Sequence, residues 1–231
     1  MHFVYRSIHA QNPPKNRHIE YDSSLILIIA IIQDRDFDIE LTRSFYKFVG
    51  SRDMKKILIV SHCILNKASK VAMDESDLAE EYEVRDRLLK LIIEKDVQLI
   101  QLPCPEFLLF GSKRWGHVRD QFDFPYFRKS CRDMLELVLL QLREYANHPE
   151  RFHILGVVSV EGSPSCGMNL TCRGEWGGEL DGSDICSVVD TLEMKEEPGV
   201  FMEELNLLLA ENNLDIPIIS MNEAIEVVTN C

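Results

Sequence analysis

Three cysteines, each just past a short apolar run, are the residues in this sequence best placed to do chemistry together. Lys56-Ile57-Leu58-Ile59-Val60-Ser61-His62 leads to Cys63, and residues 97–103 lead to Cys104. Residues 153–160, followed by Glu161-Gly162-Ser163-Pro164-Ser165, lead to Cys166. Thiolates are soft donors that suit iron–sulfur clusters, zinc or copper(I). A structural zinc site takes four ligands, usually from close Cys pairs, and the sequence has no C-x-x-C. Three ligands without an obvious fourth fit a [4Fe–4S] cluster with one open iron; zinc is the alternative.

The neighbours of these cysteines have chemistry of their own. Glu106, two residues past Cys104, stands where a carboxylate moves protons as a general acid or base; its plain alternative is a helix-start glutamate. Ser163 and Ser165 flank Pro164 and can hydrogen-bond to cluster sulfides or to a substrate sulfur. They can equally serve the turn alone. Lys113-Arg114-Trp115-Gly116-His117-Val118-Arg119 mixes cations, an aromatic and a glycine. That mixture suits a substrate-side loop in which Trp115 stacks on a planar base and His117 offers ring nitrogens. His62 is expected to point away from the side that Cys63 faces. Cys131 falls at core spacing on a helix, Cys172 is a spare ligand or a bystander, and Cys186 and Cys231 are given no role.

The elements that must position these residues alternate between strand and helix. Four short strands are expected, at residues 56–62, 97–103, 153–160 and 216–219. Helices are expected at 75–94 (inner face Leu78, Tyr82, Leu89, Ile93), 128–145 (inner face Cys131, Leu135, Val138, Leu142), from Pro198-Gly199 to 211, and at 222–228. An aromatic, glycine-bearing stretch (107–127) and a glycine-rich loop (167–182) lie between them. This order predicts an α/β fold: a single domain with a short, mostly parallel sheet flanked by helices in Rossmann-like layering. In such a sheet the carboxyl ends of the strands share one edge, and ligands bind there. Three loops distant in sequence can therefore converge.

The formal net charge of −13 argues against a nucleic-acid partner, which would require Lys/Arg clusters for phosphate contacts. Residues 25–32 are apolar but too short for a bilayer span, which takes about 20 residues. No secretory signal pattern is present, so a cytoplasmic, reducing location with no membrane partner is expected. P-loop, dinucleotide and H-E-x-x-H motifs are absent. Residues 1–53 carry balanced charge, and the whole −13 lies in residues 54–231. The expected organisation is an N-terminal extension (1–53) followed by the α/β domain (54–231). Either translation begins at Met54, or residues 25–32 and 45–49 pack on the domain.

The Cys-Ile-Leu-Asn loop, Pro103-Cys104-Pro105-Glu106 and Ser163-Pro164-Ser165-Cys166-Gly167 resemble the DUF523 family, which includes the thiouracil desulfidases, over residues 54–226. The resemblance implies a [4Fe–4S] cluster on Cys63, Cys104 and Cys166, with Glu106 and Ser163 at positions that assist catalysis. It also implies a small sulfur-containing substrate whose sulfur binds an open cluster iron acting as a Lewis acid, so that sulfide is released without net redox change. The segments that would line the substrate pocket differ. Asn66-Lys67-Ala68-Ser69-Lys70-Val71 replaces an Arg-Tyr-Asp-Gly segment, and Phe107-Leu108-Leu109-Phe110-Gly111 replaces a Gly-Gly-Leu-Pro-Thr-Pro-Arg-like stretch. A cluster-dependent hydro-lyase and a non-enzymatic iron–sulfur sensor or sulfur-binding module remain alternatives.

Overall fold

Ile57, Leu58, Ile59 and Val60 are each at most 3% exposed, as expected for a strand covered on both faces. They belong to β1 (Lys55–Val60) in a computed structural model that describes residues 54–179, 182 and 184–231. The expectations placed on residues 1–53 lie outside the described residues. β1 pairs in parallel with β2 (Gln98–Gln101) on one side and β3 (Phe152–Val158) on the other, and β3 pairs in parallel with β6 (Ile218–Ile219). The sheet order is therefore β2-β1-β3-β6. The chain moves outward from β1 to β2 and then crosses back to β3, which puts the topological switch point beside the carboxyl ends of β1 and β3. A single α/β domain with Rossmann-like layering is the result.

The helices follow from their caps and apolar stripes. Cys63 lies in the short α1 (His62–Leu65), so the strand ends earlier than its apolar run suggests. α2 (Glu75–Glu94) starts at Asp74, whose side chain accepts the Ser76 N–H at 2.8 Å. The expected face of α2 is corrected: Leu78, Leu88 and Ile92 are buried, whereas Ile93 is 80% exposed. Leu88-Leu89 and Ile92-Ile93 are tandem apolar pairs, so spacing alone leaves open two faces about 100° apart. Packing against α8 (Met221–Asn230) accompanies the Leu88/Ile92 face.

The aromatic stretch after β2 forms two short helices, α3 (Pro105–Phe110) and α4 (Arg119–Phe122). α5 (Pro125–Ala146) buries Cys131, Leu135, Leu139 and Leu142, so Leu139 takes the inner place expected of Val138. It packs against α7 (Val200–Glu211). The glycine-rich loop contains β4 (Thr171–Arg173), which pairs antiparallel with β5 (Glu193–Lys195); α6 (Ile185–Val189) lies between them. Strands of three residues are too short to show a period, so this hairpin is invisible in the sequence pattern. Among the described residues no helix is long and apolar enough to cross a membrane.

Candidate functional site

Each cysteine is set by the end of a strand. Cys63 sits in the helical turn after β1, where the preceding Ser61 is buried and donates its hydroxyl to the Val158 carbonyl at 3.0 Å, tying the turn to β3. Cys104 follows β2 and caps α3, its Sγ accepting the Phe107 N–H at 3.4 Å, with Pro105 in the first helical turn. Cys166 follows β3 in a loop held from several sides. Its carbonyl accepts the Val160 N–H (2.8 Å) and its own N–H goes to Ser163 Oγ (3.1 Å). The Glu161 carboxylate accepts the Asn169 and Leu170 N–H groups at 3.0 and 2.8 Å. The first N–H groups of α7, which have no partner within their helix, are taken by this loop: Val200 N–H by the Pro164 carbonyl and Phe201 N–H by that of Ser165, both at 3.0 Å.

Close approach dictates two glycines here. A Cβ on Gly199 would lie 2.6 Å from the Ser165 carbonyl carbon, and one on Gly167 would lie 2.1 Å from the Leu170 oxygen.

The three cysteines line one cavity of about 360 Å³, together with Glu106, Ser163, His117, Arg114 and Cys172. Among the described residues no two cysteines are joined in a disulfide. Burial pushes Cys63 up to about 12, with smaller upward contributions from Glu81, Cys104 and Glu106. Cys166 lies well above the usual thiol range, first through burial and then through Cys63 and Cys104. Cys104 is also raised, chiefly by burial. The effect of Cys63 and Cys104 on Cys166 reflects their convergence. Among the described residues, however, no three His, Cys, Asp or Glu side chains form a group suited to one metal ion.

Glu106 is the hub of the polar network. Arg114 Nε donates to its Oε2 at 3.2 Å and Ser165 Oγ donates to its Oε1 at 2.5 Å. The Arg114 side chain is 3% exposed and also donates to the Ser69 carbonyl (2.7 Å) and the Gly111 carbonyl (3.3 Å). Ser165 is fully buried; its Oγ lies 3.4 Å from Cys166 Sγ and 3.3 Å from Ser163 Oγ. One chain of hydrogen bonds thus runs from the Cys63 side of the cavity, through Arg114 and Glu106, to the Cys166 loop.

Of the other residues singled out in the sequence, His117 lines the cavity and packs against the rings of Phe110 and Phe122, at 5.0 and 4.9 Å, with its Nδ1 buried and unpartnered among the described residues. Burial holds its pKa below the ordinary imidazole value, against the opposing pull of Glu106. Trp115 is 71% exposed and lies outside the lining, because the segment turns Arg114 inward and its neighbour outward. His62 also lies outside, bonded to Gln101 and Asn66. Cys131 is a fully buried core residue. The sequence reading missed Arg114 and Glu161 as organisers of the site. Their available signal was a charged residue in a short loop beside a strand end.

Fold and site together define a class: a single parallel α/β domain whose strand-end loops bring three cysteines and a clamped glutamate into one cavity. The chain is 31% identical to the uncharacterized protein MJ0003 of Methanocaldococcus jannaschii over 112 residues, which cover 48% of the chain and 67% of that protein. The chain belongs to the family of that archaeal protein. No protein-family model and no solved structure matches it.

Proposed function

We propose that the protein is a [4Fe–4S]-dependent desulfidase that removes sulfur from a small thiolated compound. The observation that carries this reading is the shared cavity, in which Cys63, Cys104 and Cys166 meet Glu106. The donor set fits the group: three soft thiols lie on three separate loops, and proximity to one another raises the cost of ionising them without a cation. Resemblance to the DUF523 family supports the same cluster and activity. When bound, a cluster with three protein ligands supplies a Lewis-acidic iron that polarises a C–S bond.

The residues of the chain do the rest. Glu106 is the proton acceptor for an attacking water. Its Oε1 and Oε2 each take one hydrogen bond, from Ser165 and Arg114, and keep lone pairs for a further donor. Arg114 keeps the carboxylate in place, acting as a positioning residue. Ser163 fixes the Cys166 N–H and presents its hydroxyl to the cavity, where it can donate to a sulfur. Enclosure of Glu106 with the cysteines supports an enzyme over an exposed sensor. The reading places the protein in the cytoplasm, where thiols stay reduced.

The test is anaerobic reconstitution with iron and sulfide analysis. About four irons per chain are expected, with most of the iron lost on replacing Cys63, Cys104 or Cys166 by Ala and none lost with Cys131→Ala. Sulfide release from a panel of thioamides and thiolated bases completes it. Stoichiometric zinc without iron, or no sulfide from any compound, would overturn the reading.

A further inference from the structure

The charges that line the cavity are arranged in pairs, and acids are in excess. Among the described residues two basic side chains reach it, Lys70 and Arg114, and each is held by a carboxylate of the same lining: Lys70 by Glu81 and Arg114 by Glu106. Both pairs are poorly hydrated. The Lys70 and Glu81 side chains are 15% and 28% exposed, those of Arg114 and Glu106 3% and 13%. Screening by water and salt is weak in such surroundings, so their attraction competes strongly with that of an incoming anion. Asp77 and Glu161 add two more carboxylates to the lining; Glu161 is already engaged by backbone N–H groups. His117 contributes no charge at neutral pH, because burial lowers its pKa. A carboxylate or phosphate entering this cavity meets like charge and must break an existing ion pair to find a cation, whereas an uncharged thiocarbonyl compound meets neither obstacle.

We propose that the cavity selects an uncharged sulfur compound over an anionic one, and that the Lys70–Glu81 pair is the charge filter. That the ligand carries sulfur rests on the desulfidase reading; the selection by charge rests on the lining alone. The same arrangement disfavours the hydro-lyase alternative wherever its substrate is a hydroxy acid, since such a substrate needs a cation to hold its carboxylate.

The test compares thiobenzamide with its 4-carboxylate, and benzamide with its 4-carboxylate, by calorimetric titration of the full-length, iron-loaded protein at low and physiological salt. The neutral member of each pair is expected to bind at least ~30-fold more tightly at low salt, and the gap is expected to shrink as salt rises. In Glu81→Gln, Lys70 is released, and the gap is expected to close by ~10-fold or more, through tighter binding of the carboxylates. Asp77→Asn removes a lining carboxylate without breaking a pair. It is expected to narrow the gap by a few-fold and stands in if Glu81→Gln fails to fold. Equal or tighter binding of the carboxylates by the unaltered protein, a gap that neither variant changes, or no binding of any probe would overturn the proposal. Selective binding of thiobenzamide with no sulfide release from it or from any compound of the thioamide and thiolated-base panel would sink the desulfidase reading and leave the charge filter standing.

Discussion

At the scale of single residues, Glu106 is defined by its two partners. In Glu106→Gln the amide oxygen can still accept from Arg114, but the amide nitrogen then faces Ser165 Oγ, which must accept where it now donates. Shape is kept and the carboxylate proposed to accept the proton is lost. The expected outcome is full iron content with a ~10²–10⁴-fold lower rate of sulfide release, the usual share of a general base. Unchanged turnover would make Glu106 a structural residue of α3. Arg114 is tested differently, in the metal-free protein. Removing the cation of a buried pair leaves a carboxylate uncompensated, a loss of about 3–5 kcal/mol. Arg114→Met is therefore expected to lower the unfolding midpoint, and Arg114→Met with Glu106→Gln to recover part of the loss. Strict additivity in that cycle would show that the pair does not act as a unit.

The three cysteines were legible in the sequence because strand ends are legible: an apolar run that stops at Ser, Pro or Gly marks the sheet edge. Arg114 was not. Its role depends on a loop that carries it back to the Ser69 carbonyl, and loops have no period from which such a return can be read. Trp115, its larger and more eye-catching neighbour, drew the substrate role instead, yet it stands mostly in solvent.

At the scale of elements, the Cys166 loop and the start of α7 form one unit. The loop's carbonyls satisfy the helix's first N–H groups, and Gly199 permits the contact. Gly199→Ala places a methyl group 2.6 Å from a backbone carbon that has no flexible end to give way. The loop or the helix start must move. The expected outcome is a loss of ~2 kcal/mol or more in stability, the scale of overpacking, with a matching loss of iron affinity, because Cys166 shifts with the loop. Hydrogen exchange offers the check: the Val200 and Phe201 amides should lose protection first. Normal iron loading in this variant would show that the loop is not set by α7. The long helices α2 and α5 were readable from their apolar stripes, and their inner faces were misjudged only where apolar residues come in tandem. The β4–β5 hairpin was not readable, since its register is fixed by contacts such as Cys172 opposite Met194 and not by a local pattern.

At the scale of the whole domain, the sheet order makes the three-loop site possible, and a charged seam holds the helical layer that backs the Cys166 loop. Arg119 on α4 donates to Asp123 (2.5 Å), to Glu203 on α7 (2.6 Å) and to the Pro198 carbonyl (2.8 Å). Arg128 on α5 reaches Asp123, Glu203 and Glu204 at 2.7, 2.7 and 2.6 Å. Arg173 on β4 adds Asp120 at 2.7 Å and Glu197 at 2.9 Å. The hydrogen bond from Arg128 holds Asp123 below the usual carboxylate range, and the one from Arg173 does the same for Glu197. Asp120 is also lowered: burial is the largest single influence and opposes the shift, but the bonds from Arg173 and the Gly174 N–H, with the Arg173 charge, together outweigh it. A carboxylate whose folded pKa lies below its unfolded value, about 4, binds fewer protons when folded. Its contribution is fully present above that unfolded value and is lost as pH falls through the folded pKa. The carboxylates Asp123, Asp120 and Glu197 keep 36%, 41% and 29% of their side-chain surface in contact with solvent, so screening holds each pair to about 1 kcal/mol. The unfolding midpoint should therefore stay level from neutral pH to about 5 and fall below about 4. In Arg128→Met the fall should be shallower, because Asp123 returns toward its unfolded pKa and has less to lose. An acid limb as steep in Arg128→Met as in the unaltered protein would show that the seam does not set the acid stability of the domain.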